Sequence, residues 1–255
     1  MEHSFIEKVF NSIEIEKNSI ILFSSDITSI LIYFKKKNIK FDPYLIIQYL
    51  KEKIGPKGTL VVPSYNWEFC KGKGFNYKNT KSICGSLSNL CLKDKEFKRT
   101  KNAIYSFLVY GKYKNILCDY EHKNCFDHDS PFGFLIEKQS NLLVLGLDYK
   151  NSYTLVHSAE QEVGVNYRYF KNFKGDYINQ NNEISKKEFI MYVRDLKKAK
   201  STVIDHKLDA ELNKNYAYQK SNVENVSVSL INIQKTQQII IEDLKSKKEF
   251  VYPEL

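Results

Sequence analysis

At 255 residues, 42% hydrophobic and 27% charged, the chain has the composition of a globular protein with room for a sizeable core. Aromatic residues reach 14%, which excludes intrinsic disorder. The formal charge is +9, yet arginine occurs only three times (Arg99, Arg168, Arg194), so the positive charge is nearly all lysine, scattered in twos and threes. Arginine is the usual reader of base edges and phosphate forks. A generally lysine-rich surface therefore accounts for the charge better than a nucleic-acid face, which stays a lesser alternative, and the positive field favours an anionic small substrate.

Glu2 stands where a secretory signal needs basic residues, and the apolar window Ser19–Phe34 is interrupted by Ser24-Ser25-Asp26 and too short to span a bilayer. A cytoplasmic location without membrane attachment is expected. Five cysteines without a CxxC pair read as reduced thiols. The run His122-x-x-Cys125-x-x-His128 fits no common zinc spacing and lacks a nearby fourth ligand, so no metal is expected.

In chain order, HSFIEKVFNSI reads as a helix and SIILFSS as a buried strand. FDPYLIIQYLKEKI (Phe41–Ile54) has helical periodicity, Asp42 as N-cap and Pro43 in the first turn, and it stops at Gly55-Pro56. GTLVVPS is a second strand, and polar, aromatic Tyr65–Lys81 is a loop. SICGSLSNLCLKD predicts a short helix entered through Ser82. AIYSFLVYGK and NILCDY predict two strands, or a strand and a turn. Ser130-Pro131 starts a helical turn in SPFGFLIEKQ, NLLVLGLD is the third buried strand, and TLVHSAEQEVG opens a helix with Thr154 as candidate N-cap. RYFKNFKGDYINQNNEIS predicts two edge strands turning at Lys174-Gly175-Asp176. SKKEFIMYVRDLKK predicts an amphipathic helix, and Val226–Lys247 a strand followed by a helix. The alternation is α/β, a central mixed sheet flanked by helices, and with no repeat or long linker residues 1–255 are expected to form one domain.

Open α/β sheets bind ligands at the carboxyl ends of their strands. Three such ends are polar here: Ser24-Ser25-Asp26, Ser64 to Trp67, and Asp148 through Thr154 to His157. There is no Walker loop, no GxGxxG and no G-x-S-x-G elbow. His157 and Glu160 stand at i and i+3, on one helix face. A carboxylate holding one imidazole nitrogen fixes the tautomer and makes the other a better base. Two polar residues on a wet helix face produce the same spacing, and these residues alone leave both readings open. Neither Cys84 nor Cys125 reads as paired with a base in a catalytic arrangement, and a serine nucleophile lacks the elbow, so a covalent nucleophile is not expected.

The order of the motifs LFSSDITSI, GPKGTLVVPSYN, ICGSLSNL, RTKNAIYSFLVYG, SPFGFL and LGLDYKNSYTLVHSAE resembles the aminoglycoside 3-N-acetyltransferase family, from about Ile21 to about Arg168. The resemblance implies that family's fold and a CoA-dependent N-acyltransferase, moving an acyl group directly from acyl-CoA to a primary amine. It places His157 as general base, supported by Glu160. It sets Ser24, Ser25, Ser106, Ser130 and Phe132 along the pantetheine arm; Tyr65, Trp67 and Thr154, at the polar strand ends, are the candidate substrate contacts. Two departures stand out: Tyr153 occupies the place of an Asn common before the Thr, and Lys101 to Ile104 replace a His-Pro.

An aminoglycoside is a polycation and a poor electrostatic match for a +9 chain. Tyr65, Trp67, Phe75 and Tyr77 suggest a surface that stacks a flat ring, with lysines for phosphates; plain packing of these aromatics is the competing reading. Enzymes of this fold also acylate amino sugars carried on nucleoside diphosphates. The expected acceptor is therefore a nucleotide-linked, dTDP-type 3-amino-dideoxy sugar feeding surface-glycan assembly, with aminoglycoside acetylation as the alternative. A homodimer is the default oligomer.

Overall fold

A computed structural model describes residues 1–255. Helix α1 (Glu2–Phe10) turns Phe5, Ile6, Val9 and Phe10 inward and is followed by β1 (Ile20–Ser25) and α2 (Thr28–Lys36). Helix α3 (Tyr44–Ile54) begins where the Asp42 carboxylate accepts the Tyr44 N–H at 3.0 Å, and it leads to β2 (Thr59–Pro63). The long loop that follows carries only the short strand β3 (Phe75–Asn76) and one 3-10 turn. Then come α4 (Ser86–Cys91), β4 (Lys98–Arg99), β5 (Phe107–Gly111), α5 (Lys114–Asp119), α6 (Pro131–Glu137), β6 (Asn141–Leu145) and α7 (Val156–Val163). The last third comprises β7 (Arg168–Ile178), β8 (Ile184–Arg194), β9 (Ser201–Ile204), α8 (Lys207–Lys214), β10 (Tyr218–Val223), β11 (Val226–Asn232), α9 (Ile233–Ser246) and β12 (Val251–Glu254).

Seven strands form one mixed sheet in the order β10-β11-β6-β1-β2-β5-β4. Its three inner strands, β6, β1 and β2, run parallel, and the outer pairings are antiparallel. Alternate residues of the central strand feed opposite faces: Ile20 and Leu22 join one core, Ile21 and Phe23 the other. The same split runs through β6, with Leu142 and Val144 against Leu143 and Leu145. A sheet covered on both faces explains why these strands read as continuous apolar runs. Parallel direction also brings the carboxyl ends of β1, β2 and β6 to one edge, where their polar extensions meet.

The hairpin β7–β8 departs from the expected pattern. Ser185–Lys198 is no helix; β8 pairs antiparallel with β7 along its whole length, from Arg168↔Arg194 to Ile178↔Ile184. Phe189 and Tyr192, three apart and both buried, mimic a helical stripe, but the run Phe-Ile-Met-Tyr-Val favours a strand, and Ile190 also bonds Lys123 and Cys125 on its other edge. The turn lies at Asn179–Glu183, where the Asn179 side chain accepts N–H bonds from Asn181 and Glu183. Gly175 lies within β7, where a Cβ would meet the Phe69 ring at 2.8 Å; a packing need, not a turn, keeps it glycine. NILCDY is helical, burying Leu117 and Cys118. Gly85, not Ser82, precedes α4, and Leu155 rather than Thr154 precedes α7 without a side-chain cap.

Candidate active site

The end of β6 is fixed by a close approach. Gly146 has φ +77°, and a Cβ there would overlap the Asp26 carbonyl oxygen just past β1. The chain then crosses a short turn capped by Asp148 and buries Tyr149 and Tyr153 before α7 begins. Helix α9 anchors that start: Gln237 donates to the Leu155 carbonyl at 2.7 Å, and the Tyr153 hydroxyl donates to the Ile233 carbonyl at 3.3 Å. The start of α7, from which His157 and Glu160 project, is thus braced at the edge where the carboxyl ends of the parallel strands meet.

His157 Nδ1 lies 2.7 Å from Glu160 Oε2. The Glu160 side chain is wholly enclosed. Its Oε1 accepts from Tyr167 Oη at 3.0 Å and Thr202 Oγ1 at 2.8 Å. Arg168 Nε stands 2.7 Å from Oε2 as an ion pair not aligned for a hydrogen bond, while its Nη atoms donate to the Tyr192 carbonyl and Thr202 Oγ1. Burial alone would raise the Glu160 carboxyl, but the His157 hydrogen bond and the charges around it take it below its ordinary range. An ionised Glu160 requires Nδ1 to carry the hydrogen, leaving Nε2 as the basic lone pair.

The His157 pKa is lowered, first by burial and then by the positive charges of Arg168 and Arg194; the Glu160 hydrogen bond opposes this. The imidazole is consequently neutral at pH 7, 23% exposed and ready to accept a proton. The wet-face reading fails, because Glu160 faces the interior and bonds a histidine at a cavity wall.

Two adjoining cavities meet here. One, of about 390 Å³, contains His157, Arg168, Arg194, Lys150, Tyr105 and Tyr192. The other, of about 350 Å³, extends along the ends of β1 and β2, past Ser24, Ser25, Pro63, Tyr65 and Cys84. Trp67, Asn151, Ser152 and Thr154 line both and mark their junction. Trp67 is 48% exposed with an available ring, whereas Tyr65 is buried against Tyr105, Phe107 and Phe132. Phe75 and Tyr77 line neither cavity; Phe75 stacks on Tyr177 and Tyr77 bonds the backbone of Arg99, so these two pack the loop.

Three residues assigned to the pantetheine arm lie elsewhere. Ser106 is fully buried, donating to the Ser64 carbonyl at 2.6 Å and accepting from Arg99 Nε at 2.9 Å. Ser130 caps α6 through the Gly133 N–H, and Phe132 is sealed in the core. None of the three lines either cavity. The buried Arg99 also donates to the carbonyls of Ser64, Tyr77 and Thr80, which pins the loop that presents Tyr65 and Trp67. Burial pulls its guanidinium down to about 10. Sequence spacing missed Arg168, Arg194, Tyr167 and Thr202, since they come from β7, β8, β9 and the link before β7. The scarcity of arginine was the available signal.

Comparison with known proteins agrees with this architecture. The family model for aminoglycoside 3-N-acetyltransferase matches residues 35–245, and the chain belongs to that family. Over 141 residues it is 29% identical to the SPbeta prophage-derived aminoglycoside N(3')-acetyltransferase-like protein YokD of Bacillus subtilis (strain 168). That stretch is 46% of this chain and 52% of YokD, so the match spans about half the length of this curated relative. Among solved structures, aminoglycoside acetyltransferase AAC(3)-Xa superposes with a TM-score of 0.79 at 14% identity, covering 96% of this chain and 93% of that one. AAC-IIIb in binary complex with CoASH gives 0.78 at 13% identity, covering 97% of each. At these identities the likeness is one of fold. No helix is long and apolar enough to cross a membrane.

Proposed function

We propose that the chain transfers an acyl group from acyl-CoA to the amine of a small acceptor by direct attack, with His157 as general base. The observation that carries this reading is the neutral imidazole, held by an enclosed carboxylate, in a cavity that adjoins a second one. The second cavity, with the serine hydroxyls of β1 beside apolar Pro63 and Leu147, suits an arm that alternates amides and methylenes. An ammonium must lose a proton before its nitrogen can attack a thioester, and His157 Nε2 receives it. Glu160 holds the ring and stabilises the imidazolium that forms. No covalent enzyme intermediate is involved: Cys84, the one cysteine in the cavity lining, has a thiol raised by burial.

The acceptor we favour is an amino sugar carried on a nucleoside diphosphate. The acceptor cavity brings Arg168, Arg194 and Lys150 to one place, with Trp67 exposed at its mouth. Such a lining suits an anion and a flat ring. A second reading, acetylation of an aminoglycoside, is favoured by the family match and the names of the structural neighbours. The test is thiol release from acetyl-CoA and longer acyl-CoAs against dTDP-linked 3-amino sugars and against aminoglycosides. Turnover of the sugar nucleotide supports the first acceptor and turnover of the aminoglycoside the second; thiol release with no amine at all would sink N-acyl transfer.

A further inference from the structure

We propose that Arg194 is an anion-binding residue of the acceptor cavity, set to take a phosphate group on the molecule whose amine His157 deprotonates. This deepens the acyl-transfer reading and rests on it.

Three cations line the cavity, and their partners differ. Arg168 is neutralised by Glu160, and Lys150 by Asp148 and Asp209 at 3.3 and 3.2 Å. Arg194 has no salt bridge and no side-chain hydrogen bond, and its Nε is buried without a partner. A half-buried donor left unpaired is destabilising, and a guanidinium offers five N–H groups in a planar fork. Its place in the hairpin sharpens the point, because Arg194 is the cross-strand partner of Arg168. Like charges directly opposite one another destabilise a strand pair, and only one of these two has a counter-ion in the chain. The missing negative charge is thus to be supplied by the ligand. Arg194 and His157 line the same cavity, so an anion bound at Arg194 shares that cavity with the imidazole. A phosphate group fits, since its oxygens accept the fork in bidentate fashion, and the exposed Trp67 ring on the same cavity suits the flat ring of a nucleotide carrying it.

The probe is inorganic pyrophosphate, titrated calorimetrically into the protein with CoA present to occupy the donor cavity. Wild type is expected to bind it with an affinity that weakens as salt rises. R194Q weakens binding about tenfold or more, and R194K, which keeps the charge without the fork, loses less. Thermal unfolding of both variants accompanies the titration, and R194K carries the comparison if R194Q does not fold. In turnover, the ratio of kcat/KM for an amino-sugar diphosphate to that for the same amino sugar without phosphate falls about tenfold in R194Q. Equal pyrophosphate affinity in wild type and variants, or an unchanged ratio, overturns the assignment. Pyrophosphate binding through Arg194 without acylation of any amine leaves the anion site standing and removes acyl transfer.

Discussion

Glu160→Gln separates a supporting carboxylate from a bystander. In the wild type, four groups converge on this enclosed carboxylate: His157, Tyr167 and Thr202 by hydrogen bonds, and Arg168 as an ion pair. A glutamine amide replaces one acceptor oxygen by N–H groups, so whichever way it sits, two of those four groups lose the oxygen they face. The larger effect is on Arg168, whose side chain is only 6% exposed and would be left without its counter-ion. Removing one partner of a buried pair costs about 3–5 kcal/mol, which urea unfolding would register as a lower midpoint at unchanged slope. Catalysis falls as well, because the His157 tautomer is no longer fixed and the imidazolium loses its stabilising charge; the expected drop in kcat is about a hundredfold or more. Glu160 is also what holds the His157 pKa up against burial and the two arginines. In E160Q the acid limb of kcat/KM therefore shifts to lower pH while the plateau falls, and E160D, which keeps the charge, recovers part of the plateau. Wild-type turnover and an unmoved acid limb in E160Q would refute the positioning role, and an unchanged midpoint would refute the buried ion pair.

The wild-type profile and three further variants extend these tests. Because the His157 pKa is depressed, activity should hold at pH 7 and fall only as pH drops through a value below the ordinary 6.5; H157Q should lower kcat about a hundredfold or more with the fold intact by circular dichroism. Loss of activity setting in above pH 6.5, or near-normal turnover in H157Q, would remove the histidine from its role. Ser106→Ala should lower stability by about 1–3 kcal/mol through the orphaned Arg99 Nε, with KM for acyl-CoA unchanged in steady-state kinetics. A raised KM with unchanged stability would return Ser106 to the donor site. Gly146→Ala combines positive φ with overlap on the Asp26 carbonyl, so it should separate the ends of β1 and β6. Its expected signature is a fall in Tm of several degrees together with a raised KM for acyl-CoA, and wild-type values of both would show that the approach is not required.

The inner sheet was legible because its strands are buried on both faces and therefore carry their burial as continuous apolar runs. Residues 20–25, 59–63 and 141–145 each read this way. Of the hairpin, β7 was legible as strand, but its turn and β8 were not. Phe189 and Tyr192 repeat at a helical interval, and only the ladder to β7, which no local window contains, decides for a strand. Gly175 misled in a related way: glycine between Lys and Asp signals a turn, whereas its reason lies in the ring of Phe69, over a hundred positions earlier. For Ser106 and Ser130 the family resemblance implies a place along the pantetheine arm. Their acceptors and donors turn out to be the chain's own backbone and Arg99.

The three arginines show how charge divides between surface and site. Lysine supplies most of the +9, and apart from held exceptions such as Lys51 and Lys150 its flexible stem leaves the ammonium near water, where it shapes the long-range field. Arginine, with a rigid fork, is kept for positions that must be held. Arg99 bonds three carbonyls and a hydroxyl and thereby sets the loop bearing Trp67. Arg168 neutralises Glu160 without displacing its hydrogen bond to His157. Arg194 lies opposite Arg168 with its donors unspent. Two of the three line the cavity of His157, and both push the imidazole toward its neutral form. An anionic acceptor would change that balance on binding: by neutralising Arg194 it would raise the His157 pKa and make the ring a stronger base once substrate is in place. The acid limb of kcat, which reports the bound complex, should accordingly lie at higher pH than the limb of kcat/KM, and R194Q should bring the two together. Coincident limbs in the wild type would show that the acceptor brings no negative charge to Arg194.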